Sequence, residues 1–173
     1  MPAQGFEESE AVVPIDILRC AGAGVVTAAL TEGIHVTGRN ELKVHADTML
    51  ESVEGAAFYC VLLPGGPVVI TLWEDARIGG VLRRQQEKEG WIAAICAATV
   101  VLNDAGILHG RRFTAHYSVA SELPEAFLGQ RVVTDGRPIT LRGAGTGVGF
   151  GLAIAERLYS PEKAAGVAKS IRA

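Results

Sequence analysis

The chain has 173 residues, 49% of them hydrophobic and 20% charged, a size and mix suited to one globular domain over residues 1–173 with a sizeable core. A formal charge of −3 argues against a broad nucleic-acid footprint, and the longest apolar runs, 20–30 and 91–102, are too short to span a bilayer. Three cysteines without CxxC spacing and no leader-like start predict a reducing compartment, with the cytoplasm as default.

In chain order, Glu7, Glu8 and Glu10 place acids ahead of an apolar pattern at Val13, Ile17 and Leu18. That predicts a helix ending near Gly22, with Pro14 close to its start. The β-branched run from Gly24 to Leu30 reads as a strand, and Ile34–Thr37 and Leu42–Ala46 as two more around a Gly38-Arg39-Asn40 turn. Phe58–Leu63 reads as a buried strand that Pro64-Gly65-Gly66-Pro67 stops abruptly. A helix follows within Glu74–Glu89. Trp91 to Ile95 then reads as a buried parallel strand, and Ala97 to Ala105 as a helix closed by Gly106. Phe113–His116 is a further short strand. Arg131–Leu141 reads as a hairpin turning on Asp135-Gly136. Thr146 caps a helix to about Leu158, and Pro161 opens the last one. Strands alternating with helices imply a mostly parallel sheet covered on both faces.

Cys96 stands at the strand-to-helix junction of this pattern. Such a junction presents a nucleophile at the carboxyl edge of a sheet, where open α/β sheets place ligands, and a helix N-terminus favours a thiolate. By itself, a cysteine in an apolar run is more often a small core residue. The glycine-rich stretch Gly143–Gly151 matches no GxGxxG register and carries no P-loop lysine, so it reads as a close-packed helix entry. The four histidines show no zinc-ligand spacing. His116 alone ends an apolar strand.

The order of these pieces is more specific than any of them. Gly5–Gly22 (GFEESEAVVPIDILRCAG), Val61–Gly66 (VLLPGG), Ile92–Ala97 (IAAICA), the strand ending in His116, and Arg142–Thr146 (RGAGT) with its helix span nearly the whole chain. The sequence resembles the ThiJ/PfpI superfamily, on the branch of the parkinsonism-associated oxidative-stress protein and deglycase. The resemblance implies a flavodoxin-like three-layer α/β sandwich of the class I glutamine-amidotransferase-like kind, forming a homodimer and using no cofactor or metal. It implies a nucleophilic Cys96, a protonated Glu10 beside it and His116 nearby. Gly66 and Ala97 would supply backbone N–H donors, and Gly65, Arg39 and Arg142 would shape the pocket or dimer contacts.

The chain also departs from the family pattern. Ala97 follows the cysteine where the protease-like branch has histidine, which argues against a Cys-His peptidase or amidase. Ala98-Thr99 and Ala144 replace residues that usually shape the pocket wall, and Cys20 stands where many relatives carry a second arginine. The segment after Gly66 lacks the customary Gly-Ala loop. Relatives carry an apolar first strand, central in the sheet, just before the turn matching Gln4-Gly5, where this chain has only Met1-Pro2-Ala3. The expectation is a late start of this sequence, or another segment in the gap, since a missing central strand exposes its neighbours' backbone.

The implied chemistry is a cysteine-dependent glyoxalase or deglycase. It acts on 2-oxoaldehydes such as methylglyoxal, or on their early glycation adducts of thiols and amines, and protects against oxidative stress. The alternative from a different class is a redox sensor or holdase chaperone working through oxidation of Cys96 to sulfinate.

Overall fold

A computed structural model describes residues 3–30 and 32–173. The chain begins with α1 (Glu8–Cys20), then the short strands β1 (Ala28–Ala29), β2 (His35–Thr37), β3 (Lys43–His45) and β4 (Thr48–Met49). There follow β5 (Cys60–Leu63), α2 (Val69–Glu74), α3 (Ala76–Glu87), β6 (Trp91–Ile95) and α4 (Thr99–Asp104). The hairpin of β7 (Val132–Thr134) and β8 (Pro138–Leu141) leads into α5 (Gly147–Leu158) and α6 (Pro161–Ile171).

The central sheet has the order β5-β6-β8-β7. β5 and β8 both run parallel to β6, in registers Cys60↔Trp91 and Ile92↔Pro138, and β7 closes the sheet antiparallel to β8. Side chains alternate across β6, as a strand's period of two requires. Ile92 and Ala94 join a core cluster with Leu72 of α2, Leu82 of α3 and Leu102 of α4. Ala93 and Ile95 join a second cluster with Ile17 of α1, Phe150 and Ile154 of α5 and Val167 of α6. The sheet is therefore a middle layer between two helical ones, as the resemblance implied. α1 packs on α5 across Gly151, where an added Cβ would lie 2.7 Å from the Ile17 Cβ. Among the described residues no helix is long and apolar enough to cross a membrane.

Several sequence expectations need correction. Residues 113–116 form no ladder, because β8 already has β6 on one side and β7 on the other. The segment is instead tied to its surroundings by single bonds: Thr114 N–H donates to Thr140 Oγ1 (2.9 Å) and His116 N–H to the Cys96 carbonyl (3.4 Å). Of 24–30 only Ala28–Ala29 pairs, with β4; Gly24–Thr27 runs beside a cavity. Pro14 lies beyond the first turn of α1, so its missing N–H leaves the Glu10 carbonyl without the usual donor four residues on. The β-branched run after Gly66 folds into α2, which the sequence reading left open. Thr146 precedes α5 but caps it with no side-chain bond; its hydroxyl donates to the Gly143 carbonyl at 2.8 Å. Where the resemblance expects a first strand, β5 ends the central sheet among the described residues, and Met1 and Pro2 lie outside them.

Candidate active site

Three parallel-sheet strands and one helix deliver the site. Pro64-Gly65-Gly66 leaves the carboxyl end of β5, Cys96 that of β6 and Arg142-Gly143-Ala144 that of β8; Glu10 comes from the first turn of α1. This is the edge at which open α/β sheets hold ligands.

Cys96 has φ +63, the left-handed region that a residue with a side chain enters only when its surroundings impose it. Here the surroundings are the end of β6 and a 3₁₀ turn, Cys96–Ala98, that starts the helix. Thr99, fully buried, donates its hydroxyl to the Cys96 carbonyl at 3.1 Å and so fixes the turn. The Cys96 sulfur accepts the Ala97 N–H and is hydrogen-bonded to the Glu10 carboxyl.

Glu10 is 1% exposed. Its Oε2 accepts the Gly65 N–H at 3.0 Å, and the Ala144 N–H also donates to it. Burial raises its pKa to about 7; the charge of Glu7 adds to the rise, and the bonds from Cys96, Gly65 and Ala144 oppose it. Glu7 also caps α1, accepting the Glu10 N–H at 2.9 Å. Two close approaches explain both glycines of the β5 turn. A Cβ on Gly65 would meet the Glu10 carboxyl and lie 2.7 Å from the Cys96 Cβ, and one on Gly66, at φ +96, would lie 2.6 Å from the Glu7 N. Side chains are therefore excluded where the carboxyl and thiol meet.

Burial, followed by the Glu10 charge and only partly offset by the Ala97 N–H, pushes the Cys96 thiol up to about 12. This reverses the expectation that the following helix would favour a thiolate. The sulfur is a half-buried thiol whose proton can pass to a carboxyl already in contact with it. The other two cysteines are different. Cys20 is exposed, and burial pushes Cys60 up to about 12 with no acid beside it.

His116 lies near this pair without touching it through its ring in any bond among the described residues. Its Nδ1 accepts the Ser118 N–H at 3.2 Å and meets the Ser118 hydroxyl at 2.9 Å, which leaves the proton of the neutral ring on Nε2. Partial burial lowers its pKa, so the neutral ring prevails at pH 7. Gly143 approaches the ring, at 3.4 Å from His116 Cδ2 to a built Cβ. The Gly66 N–H has no hydrogen-bond acceptor among the described residues, so it remains available as a donor.

The two arginines are not gathered in. Arg39 is exposed on the β2–β3 turn, held by its backbone N–H to the Phe6 carbonyl (2.9 Å). Arg142 is exposed and turns its guanidinium to the Gly129 carbonyl at 3.5 Å. Glu7, Thr99, Ser118 and the Ala144 amide were not singled out as site residues from sequence. Only the acid spacing of Glu7 and Glu10 hinted at them.

Comparison with known proteins agrees with this architecture. The profile of the DJ-1/PfpI family matches residues 1–157. The chain is 36% identical over 171 residues to Protein DJ-1 homolog B of Arabidopsis thaliana, covering 97% of this chain but only 39% of that longer protein. It is 35% identical over 167 residues to the glutathione-independent glyoxalase DJR-1.2 of Caenorhabditis elegans, covering 94% of this chain and 88% of the relative. The crystal structure of Drosophila melanogaster DJ-1beta superposes with a TM-score of 0.92 at 36% identity, over 99% of this chain and 98% of that one. With a thiol, a buried carboxyl and a glycine turn meeting at the sheet edge as they do here, the chain belongs to the DJ-1/PfpI family.

Proposed function

We propose that this protein is a cofactor-independent, Cys96-dependent glyoxalase that converts 2-oxoaldehydes such as methylglyoxal, free or as early glycation adducts, to 2-hydroxy acids. The observation that carries the reading is the contact of a half-buried thiol with a buried carboxyl whose pKa is about 7. A group poised there is half ionised near neutrality and can both take and give a proton. The relative named as a glutathione-independent glyoxalase supports the same reaction class.

The Cys96 sulfur adds to the aldehyde carbon as its proton passes to the Glu10 carboxylate; the C=O π electrons move onto oxygen. The Ala97 and Gly66 N–H groups hold that oxygen, and Glu10 returns the proton to it, giving a hemithioacetal. Glu10, again a carboxylate, removes the proton from the former aldehyde carbon and delivers it to the neighbouring carbonyl carbon, while the hydroxyl proton on the first oxygen passes to the second oxygen, beside His116 Nε2–H. The first carbon is thereby oxidised to a thioester and the second reduced to an alcohol, with no external electron carrier. Water cleaves the C–S bond, releasing the 2-hydroxy acid and the Cys96 thiol.

Glu10→Gln keeps the shape and cannot take the proton. Its expected loss is ~10²–10⁴-fold in kcat for methylglyoxal. Turnover within a few-fold of wild type removes Glu10 from the mechanism.

A further inference from the structure

The β2–β3 hairpin carries a pair of side chains that the chemistry above does not use. His35 and His45 are registered partners across its antiparallel ladder. The Ala46 N–H donates to the Ile34 carbonyl and the Gly38 N–H to the Leu42 carbonyl, each at 2.8 Å. Hydrogen-bonded pairs alternate along such a ladder, so 34/46, 36/44 and 38/42 are the bonded pairs and His35/His45 is an unbonded one. In unbonded pairs the two Cα atoms lie closest and the side chains stand nearest each other. The imidazole rings meet accordingly, with centroids 4.3 Å apart and planes at 86°.

The backbone beneath this pair is fixed while the rings stay free. Val36 is 1% exposed and Val44 packs against the same core cluster, which anchors the opposite face of the hairpin. Gln4 ties the outer edge of β2: its side chain donates to the His35 carbonyl at 3.3 Å and accepts the Thr37 N–H at 3.0 Å. Both histidines are exposed, and no ring nitrogen of either has a hydrogen-bond partner among the described residues. The Asp47 carboxylate, two residues on, is engaged by Thr27 and Arg19. Among the described residues no third His, Cys, Asp or Glu completes a larger ligand set with the pair.

We propose that His35 and His45 form a two-imidazole chelate for a tetragonal divalent transition-metal ion, Cu(II) before any other. Imidazole is the commonest side-chain metal ligand, and two on a rigid hairpin lose little freedom when an ion joins them. With metal–nitrogen bonds of about 2 Å, ring centroids 4.3 Å apart subtend close to a right angle at the ion. That is the angle between neighbouring positions of a tetragonal ion, and it is narrower than the tetrahedral angle of zinc sites. Tetragonal nitrogen and oxygen ligation belongs to Cu(II) or Ni(II), of which Cu(II) binds the more tightly. The rings turn about their own side-chain bonds to present one nitrogen each, the strands stay where they are, and water fills the remaining positions.

The test titrates the full chain with Cu(II), followed by calorimetry and by the broadening that a paramagnetic ion imposes on nearby NMR signals. It is run in Cys20→Ser, so that the exposed thiol neither binds nor reduces the ion. One ion per chain is expected, with the signals of His35 and His45 lost first and those of His109 and His116 retained at one equivalent. His35→Gln and His45→Gln should each weaken binding at least tenfold while leaving the circular dichroism spectrum unchanged, since both side chains are exposed. Zn(II) should bind at least tenfold more weakly than Cu(II). Unchanged affinity in either variant, or first broadening at Cys96 or His116, overturns the proposal. Zn(II) binding as tight as Cu(II) overturns the tetragonal chelate, and one ion per two chains overturns it in favour of a site shared between copies. Binding is read without turnover and is expected in Cys96→Ser as well. Failure of the ion to bind therefore leaves the Cys96 chemistry standing, and failure of that chemistry leaves the chelate standing.

Discussion

At Glu10 the same burial that serves catalysis costs stability, and the sign can be worked out. Its pKa is about 7 in the folded chain against an ordinary carboxyl value of 4.5. Between those values the folded state keeps a proton that the unfolded state has lost, so stability falls as pH rises from about 4.5 to about 7 and stays lower above. The difference corresponds to about 3 kcal/mol. Urea unfolding should therefore show Glu10→Gln gaining on wild type between pH 5 and pH 8, by up to that amount; a constant difference across this range contradicts the assignment. Gly65→Ala tests the neighbouring constraint. Its Cβ would crowd the Cys96 Cβ and the Ile95 carbonyl, at 2.7 and 2.9 Å, and expected overpacking is ~1–3 kcal/mol with turnover lost. Equal stability and activity in that variant would mean the turn relaxes freely. Cys96, Glu10 and the Pro-Gly-Gly turn were singled out in sequence by the order of the family pattern, since each alone suits a core, capping or turn role. The thiol's raised pKa was not, because burial by residues distant in sequence outweighs the nearby helix N-terminus and the Ala97 N–H.

At the scale of elements, the segment from Phe113 to His116 shows how a short apolar run can be buried and extended without being a strand. Its alternation suited a ladder, but β8 already bonds to a strand on each side, a fact of topology that local pattern does not carry. Thr140 Oγ1, accepting the buried Thr114 N–H, takes the place of a ladder. Thr140→Val leaves that donor unpaired, and an unsatisfied buried N–H costs ~1–3 kcal/mol. The variant should lose that much by denaturant titration, together with kcat, as the His116 segment loosens. Loss of neither means Thr140 does not hold the segment. The failed strand from Gly24 to Thr27 has a related cause: its β-branched residues favour extension, but only Ala28 and Ala29 meet a partner strand. The hairpin at Asp135-Gly136 and the helix starting at Pro161 were legible, because turn and N-terminal signals act within a few residues.

Over the whole molecule, the order of the strands brings Glu10, Gly65, Cys96 and Ala144 to one sheet edge although the outermost of them are separated by most of the chain. The same order leaves a slot between β5 and β1. The family pattern made this fold readable from the sequence, while the cavity beside β5 appears only in three dimensions. We further propose that the chain pairs as a homodimer. Sedimentation equilibrium returning twice the 18.2 kDa chain mass supports that, and 18.2 kDa itself contradicts it. The central claim concerns Cys96 and is tested most directly by lactate formation from methylglyoxal in wild type and Cys96→Ser, each purified free of contaminating glyoxalase. The account predicts turnover by wild type that rises with pH through about 7 and is absent in Cys96→Ser. Equal lactate from the two proteins would contradict it.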